Sequence, residues 1–309
     1  MRIAITGAAG WLGRYVTAAL ETSHELVLVD NVAPEEATIF DPHAPGGRRQ
    51  VPLSPSWPYH QLDILDDEGL LCAFADVEVV VHLAGRPTGE WENAKATVMT
   101  NIVGTFNVFD QARTAGVRRV VNASSINAFG TFYWRVSGRS PMHLSLPLTE
   151  DEPVTPEDPY SLSKATTELL GATFNRAFGI EAVNLRFAGV WSESTYDAAL
   201  DVGLPATKEL ADDLFQWVHV LDVTQGITKA ALVDTVVYLP ITLAAADTRA
   251  PEPTLEIVTK HRPELIPYLR EPLPKRAGLL SIARARTFLG YEPQFSLDAA
   301  TRDVGGLSD

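Results

Sequence analysis

The chain has 309 residues, enough for one large domain or two modest ones around a sizeable core. Its composition, 46% hydrophobic and 21% charged, is that of a globular protein and excludes a mainly disordered one. Lys and Arg total 25 against 39 Asp and Glu, a net charge of −14 that does not attract a phosphate backbone, so nucleic acid is not an expected partner. A single cysteine, Cys72, excludes an intrachain disulfide and a cysteine-rich metal site, and no histidines stand at HExxH or HxH spacing, so no metal is expected. No apolar run approaches the ~18 residues a membrane helix needs, and no basic segment leads into an apolar stretch at the start. The expected setting is the cytoplasm, with no membrane partner.

Arg2–Thr6 reads as a buried strand and Trp11–Thr22 as a helix, with Leu12, Val16, Ala19 and Leu20 at helical spacing. Glu25–Asp30 is a second strand. The proline-rich segment Asn31–His60, with Gly46-Gly47-Arg48-Arg49, reads as an irregular excursion. Asp66–Phe74 is helical, Val77–Ala84 a strand, Asn93–Ala115 a long helix and Val117–Ser124 a strand. Strands alternating with helices predict an α/β protein: a Rossmann-type doubly wound parallel sheet covered on both faces. A helix over Pro159–Phe178 follows. Phe215–Asp222 reads as a strand or strand end, Val223–Ala231 as a helix and Val236–Leu243 as a strand. Ser281–Leu289 is a helix closed by Gly290. The expected division is a nucleotide-binding domain over residues 1–190, taking in about 215–243, and a small C-terminal substrate-binding lobe from 191–214 and 244–309.

The first strand runs into Thr6-Gly7-Ala8-Ala9-Gly10-Trp11-Leu12-Gly13, a GxxGxxG loop opening a helix. Gly7, Gly10 and Gly13 permit the tight turn, the approach of backbone to a pyrophosphate and close helix–strand packing, with the helix N-terminus facing the phosphate. Trp11 and Leu12 belong to the same cofactor-binding turn. Asp30 ends the second strand, 23 residues after Gly7, where a carboxylate accepts the adenosine ribose hydroxyls and repels a 2′-phosphate. NAD is therefore expected over NADP, although Arg14 and Arg48 would partly offset that repulsion. Asp63, with Ile64 beside it, is placed to meet the adenine. In this frame the 31–60 excursion is a surface loop, or else a subunit contact or a flap near the adenine end.

Tyr160 and Lys164 are four apart in Pro159-Tyr160-Ser161-Leu162-Ser163-Lys164, so both lie on one helix face. A phenol titrates near 10 in water, and a neighbouring ammonium stabilises its anion. Tyr160 can then exchange a proton with an alcohol or ketone, while Lys164 holds it and the nicotinamide ribose. The strand ending at Ser124 leads into Ser125-Ile126-Asn127-Ala128-Phe129-Gly130, at the end of the sheet where ligands bind. Ala123 is a cofactor contact there, and Ile126 and Asn127 face the substrate. Asn101, on the preceding helix, can support the site or a proton-relay water.

Together these residues resemble the extended short-chain dehydrogenase/reductase superfamily, its NAD-dependent epimerase/dehydratase group. The carriers are TGAAGWLG at 6–13, Asp30, LDILD at 62–66, HLAG at 82–85, NIVGT at 101–105, SSINAFG at 124–130, YSLSK at 160–164, NLRFAGVW at 184–191 and WVHVLDV at 217–223. The resemblance implies Ser125 as the catalytic serine, Tyr160 as acid/base, Lys164 as its partner, and Leu83, Ala84 and Gly85 as lining for NAD. It also implies a homodimer made by pairing the long helices 93–115 and 159–178. Phe129 stands where many epimerases have Tyr, and the Thr-Asp-Glu type of triplet of sugar-nucleotide dehydratases is absent.

Only 26 residues separate Val190 from Trp217, and many sugar-nucleotide epimerases are far longer there. Lys208 is the one cation from 191 to 216, against six carboxylates, a poor host for a diphosphate. This economy, shared with uronate dehydrogenases, points to a small sugar-type substrate, with Arg186, Arg86 and Thr88 as candidate contacts. The tail cations Lys260, Arg262, Arg270, Lys275 and Arg276 could restore a nucleotide-sugar site by converging above Ser125 and Tyr160. The expected reaction is hydride transfer at a secondary alcohol or ketone carbon. A dehydrogenase releasing NADH, including a uronate dehydrogenase, and a UDP-sugar 4-epimerase retaining the cofactor need the same residues; a non-catalytic NAD-binding protein is the alternative from another class.

Overall fold

A computed structural model describes residues 1–40, 48–130, 135–138, 145–202, 213–234, 238–270 and 272–298. Its strands in chain order are β1 (Arg2–Thr6), β2 (Glu25–Asp30), the antiparallel pair β3 (Thr38–Phe40) and β4 (Arg48–Gln50), β5 (Tyr59–Gln61), β6 (Val79–His82), β7 (Arg119–Ser125), β8 (Glu181–Phe187), β9 (Val190–Trp191), β10 (Val218–His219) and β11 (Tyr238–Leu243). Seven of them form one sheet in the order β11-β8-β7-β6-β1-β2-β5, every pairing parallel. The sequence explains this: Ile3-Ala4-Ile5, Leu26–Val29, Val79–Val81 and Val120-Val121 are continuous apolar runs, buried on both faces. The order reverses at β1, so the loops after β1 and β6 part there and leave a crevice at the carboxyl ends of the strands.

The helices are α1 (Trp11–Leu20), α2 (Asp67–Ala73), α3 (Ala94–Val98), α4 (Gly104–Ala115), α5 (Pro159–Phe178), α6 (Glu193–Val202), α7 (Val220–Leu232), α8 (Thr254–His261) and α9 (Ala283–Leu289). One layer packs Leu70 of α2, Phe74 just after it, Phe109 of α4 and Phe174 of α5 against the sheet. The other face carries Val16 and Leu20 of α1 with Val223 and Ile227 of α7. Arg119 of β7 is buried between layers: Nε donates to Glu181 at 2.7 Å, and Nη1 to the carbonyls of Ala230 and Ala231 at 3.2 and 3.0 Å, closing the end of α7.

Three expectations need correction. Phe215–Asp222 is not a strand: only Val218 and His219 are extended, and the helix starts at Val220, because the His219 side chain accepts the Leu221 N–H at 3.2 Å and caps it. The helix over 93–115 is interrupted by a π-helical turn, Met99–Val103. The 31–60 excursion is not irregular throughout: it holds the antiparallel pair β3–β4 and runs into the edge strand β5; Gly46 and Gly47 lie outside the described residues.

The last strand, β11, has β8 on one side only. On its outer side, Thr242 N–H donates to Glu150 Oε1 at 2.7 Å, and the Pro240 carbonyl accepts from Arg284 Nη1 at 3.2 Å. Beyond β11, Asp247 accepts from Trp217 Nε1 at 3.2 Å, Ser296 Oγ and Leu297 N at 2.8 Å, and Asp298 N at 3.0 Å, fastening the tail.

Candidate active site

A cavity of about 450 Å³ opens along the crevice. Gly7, Gly10, Asp30, Asp63, Ile64, Leu83, Ala84, Gly85, Arg86 and Thr88 all line it, with Asn31, Arg48 and Thr100. Gly7 has φ +74°, and a β-carbon on it would lie 2.7 Å from Ala84 N, so only glycine fits between the two loops. A β-carbon on Gly13 would strike the Gly7 carbonyl, so the third glycine lets α1 seat against the turn. Trp11 and Leu12 begin α1 in that turn. Asp30 Oδ2 accepts from Ala9 N at 2.9 Å and Oδ1 from Val32 N at 3.1 Å, so its carboxylate faces the glycine loop; burial raises its pKa despite those bonds.

Gly85 joins this cavity to Asn101 and Lys164: a β-carbon there would lie 3.3 Å from Asn101 Oδ1 and 3.9 Å from Lys164 Nζ. Asn101 sits in the π-helical turn, where its amide accepts from Arg86 N at 2.7 Å and donates to Arg86 O at 3.1 Å and to Ser163 Oγ at 3.0 Å. That amide fastens the loop after β6 to α5. The helix itself starts on Asp158, whose Oδ1 accepts from Tyr160 N at 2.8 Å and Ser161 N at 2.9 Å.

Tyr160 hydrogen-bonds Ser125, and Lys164 Nζ lies 5.5 Å from the Tyr160 ring centroid and donates to the Ala123 carbonyl at 2.6 Å. Burial pushes the phenol up to about 12; the Ser125 hydrogen bond opposes this and the Asp158 carboxylate adds to it. Burial brings the Lys164 ammonium down to about 8, with Glu168 opposing. Ser125 Oγ also accepts the Asn127 N–H at 3.1 Å. Ile126 and Asn127 form the buried turn after β7, and Asn127 Oδ1 has no hydrogen-bond partner among the described residues.

Arg186 does not reach this site. It is 2% exposed, its Nε and Nη2 bind the Glu168 carboxylate at 2.9 and 2.7 Å, and its guanidinium lies 4.4 Å over the Phe129 ring. Ser124 Oγ donates to the same carboxylate at 2.6 Å, which leaves Ser125 as the hydroxyl beside Tyr160. Sequence reasoning missed Glu168, although Tyr160, Lys164 and Glu168 fall four apart on one face. It also missed Asp158, for which an Asp before Pro at a helix start is the signal. Of the tail cations, Arg262 and Arg276 are engaged within the tail: Arg262 Nε with Glu264 at 2.5 Å, and Arg276 with the carbonyls of Leu297 and Thr248 at 2.5 and 2.8 Å.

A glycine-cradled crevice, an acid at its adenosine end and a Ser–Tyr–Lys cluster at its other end define a dinucleotide-binding enzyme of the Rossmann type. The chain belongs to the NAD dependent epimerase/dehydratase family, whose profile matches residues 3–236. Matches to the first curated relatives take in about half of their length, 54% and 56% for two of them. The chain is 27% identical to an L-arabinose 1-dehydrogenase (NAD(P)(+)) of Haloferax volcanii, over 74% of this chain and 82% of that protein. It is 26% identical to a uronate dehydrogenase of Pseudomonas putida, over 77% of this chain and 75% of that one. A UDP-glucose 4-epimerase structure from Thermotoga maritima, with UDP-glucose, superposes at TM-score 0.66 and 21% identity, over 98% and 96% of the two chains.

Proposed function

We propose that this chain oxidises a secondary alcohol carbon of a small sugar or sugar acid, or reduces the corresponding ketone, as an NAD-dependent dehydrogenase. The observation that carries the reading is the Tyr160–Ser125 hydrogen bond beside Lys164, at the end of a cavity built for a dinucleotide. Ser125 orients the reacting oxygen. Tyr160 takes its proton as phenolate, with Lys164 stabilising that anion. NAD, when bound, supplies acceptance of the hydride leaving the carbon; Gly7, Gly10, Asp30, Asp63 and Gly85 would hold it.

A small substrate is supported by Arg262 being tied to Glu264 and Arg276 to the carbonyls of Leu297 and Thr248, which draws these two cations away from a diphosphate. The unpartnered Asn127 Oδ1 is the acceptor for a substrate hydroxyl, with Arg86 and Thr88 lining the neighbouring cavity. Met99, Val103 and Phe106, together with Leu162 and Leu169 of α5, are exposed apolar side chains on neighbouring helices, and they support a homodimer. No helix among the described residues is long and apolar enough to cross a membrane, in keeping with a cytoplasmic setting.

The test is a panel of pentoses, hexoses, uronates and UDP-sugars with NAD. NADH formation on a free sugar or uronate is the expected outcome. Epimerisation of a UDP-sugar by protein that retains its NAD would replace this reading with the 4-epimerase one.

A further inference from the structure

The β3–β4 hairpin is inserted between the strand that ends in Asp30 and the next sheet strand, and it is fastened to the cofactor site. Val51 N–H donates to Ala37 O and Leu53 N–H to Pro34 O, both at 2.8 Å. Gln50 Nε2 donates to Glu35 O at 2.8 Å. From the glycine-loop helix, Arg14 donates through Nη2 to the Val51 carbonyl and through Nε to Ala9 O at 3.1 Å. The hairpin base is therefore bound to the same turn that Asp30 grips through Ala9.

The hairpin delivers Arg48 to the wall of the cavity that Asp30 and Asn31 also line. Its guanidinium is oriented by Thr38, with Nε on Oγ1 at 2.7 Å and Nη2 on the carbonyl at 3.3 Å, which leaves Nη1 unpartnered among the described residues. The adenosine end thus carries two opposite charges: a carboxylate suited to ribose hydroxyls and a preset guanidinium suited to a phosphate.

We propose that Arg48 gives the NAD site a second, weaker specificity, so that it also admits the 2′-phosphorylated dinucleotide, NADP. This rests on the cavity being the NAD site. Asp30 keeps NAD the better ligand, and Arg48 supplies a charge-assisted hydrogen bond that only the 2′-phosphate can use.

Calorimetric titration of the full chain with NAD and with NADP tests it in wild type, Arg48→Ala and Asp30→Asn. Arg48→Ala should weaken NADP about 10–100-fold more than it weakens NAD. Retained NAD binding also shows that the variant is folded. Asp30→Asn should shift the preference the other way, toward NADP. The proposal is overturned if wild type binds NAD and no NADP, or if Arg48→Ala leaves the ratio of the two affinities unchanged. A wild type that does not bind NAD overturns the cofactor reading and this proposal with it, and that arm is read first.

Discussion

His82, the last residue of β6, is held between two hydroxyls: Nδ1 lies 2.7 Å from Thr6 Oγ1 and Nε2 2.9 Å from Thr105 Oγ1. Burial first, and the Lys164 charge second, bring its pKa down to about 3. An unfolded histidine titrates near 6.5. Between those values only the unfolded chain takes the proton, so stability falls as pH drops through the window, by about 1.4 kcal/mol per unit from this residue. Urea unfolding at about pH 7 and about pH 5 should differ by roughly 2 kcal/mol from this source. His82→Gln should lose that share, and an undiminished slope would remove the assignment. At the reacting end, Tyr160→Phe should lower kcat by about 10²–10⁴-fold while NAD binding persists. In the oxidation direction kcat/KM should rise with pH as the phenol, pushed up to about 12 by burial, loses its proton, and Tyr160→Phe should abolish that rise. A Phe variant with near-full activity would exclude Tyr160 as the proton carrier.

Helix α5 binds the site together through one face. Its first residues are set by Asp158, Tyr160 and Lys164 reach Ser125 and the Ala123 carbonyl, and Glu168 grips Ser124 and Arg186 beneath it. Removing one partner of a buried ion pair strands the other, which costs about 3–5 kcal/mol. Glu168→Ala should therefore destabilise by that order in denaturant melts. Pairing Glu168→Leu with Arg186→Met should cost less than Glu168→Ala, because no unpaired charge remains; a double variant that is the less stable would contradict this. The tyrosine, the lysine and the glycine loop were legible in the sequence because each is a local pattern tied to one turn or one helix face. The role of Glu168 was not, since Ser124 and Arg186 meet it only after β7, β8 and α5 have packed. Arg186 was misread for the same reason: nothing near it in the chain shows that its charge is already spent. The π-helical turn around Asn101 was equally invisible, because the apolar spacing through it fits an ordinary helix.

At the scale of the whole molecule, the parallel sheet and its order around the crevice could be expected from the alternation of elements, whereas the inserted hairpin could not. Its strands are three residues each, and the proline-rich composition around them hides the pairing of Thr38 with Gln50. The helical face with Phe106, 46% exposed, and Leu169, 61% exposed, is the surface expected to pair between two copies. Burying side chains of this size contributes about 1.5–3 kcal/mol each. Phe106→Glu combined with Leu169→Glu should therefore turn a dimer into a monomer in sedimentation experiments. Wild-type protein that sediments as a monomer at all concentrations would end the dimer reading.

The outer side of β11 has a further bearing on how such molecules behave when crowded. An open sheet ends in two rims, and a rim of unpaired N–H and C=O groups is a template for a strand from a neighbouring chain. Here Pro240 has no N–H to offer, its carbonyl is taken by Arg284, and the N–H of Thr242 is taken by Glu150. The opposite rim, β5, is only three residues long. Both rims are thereby blunted against edge-to-edge pairing and strand exchange with a neighbouring chain.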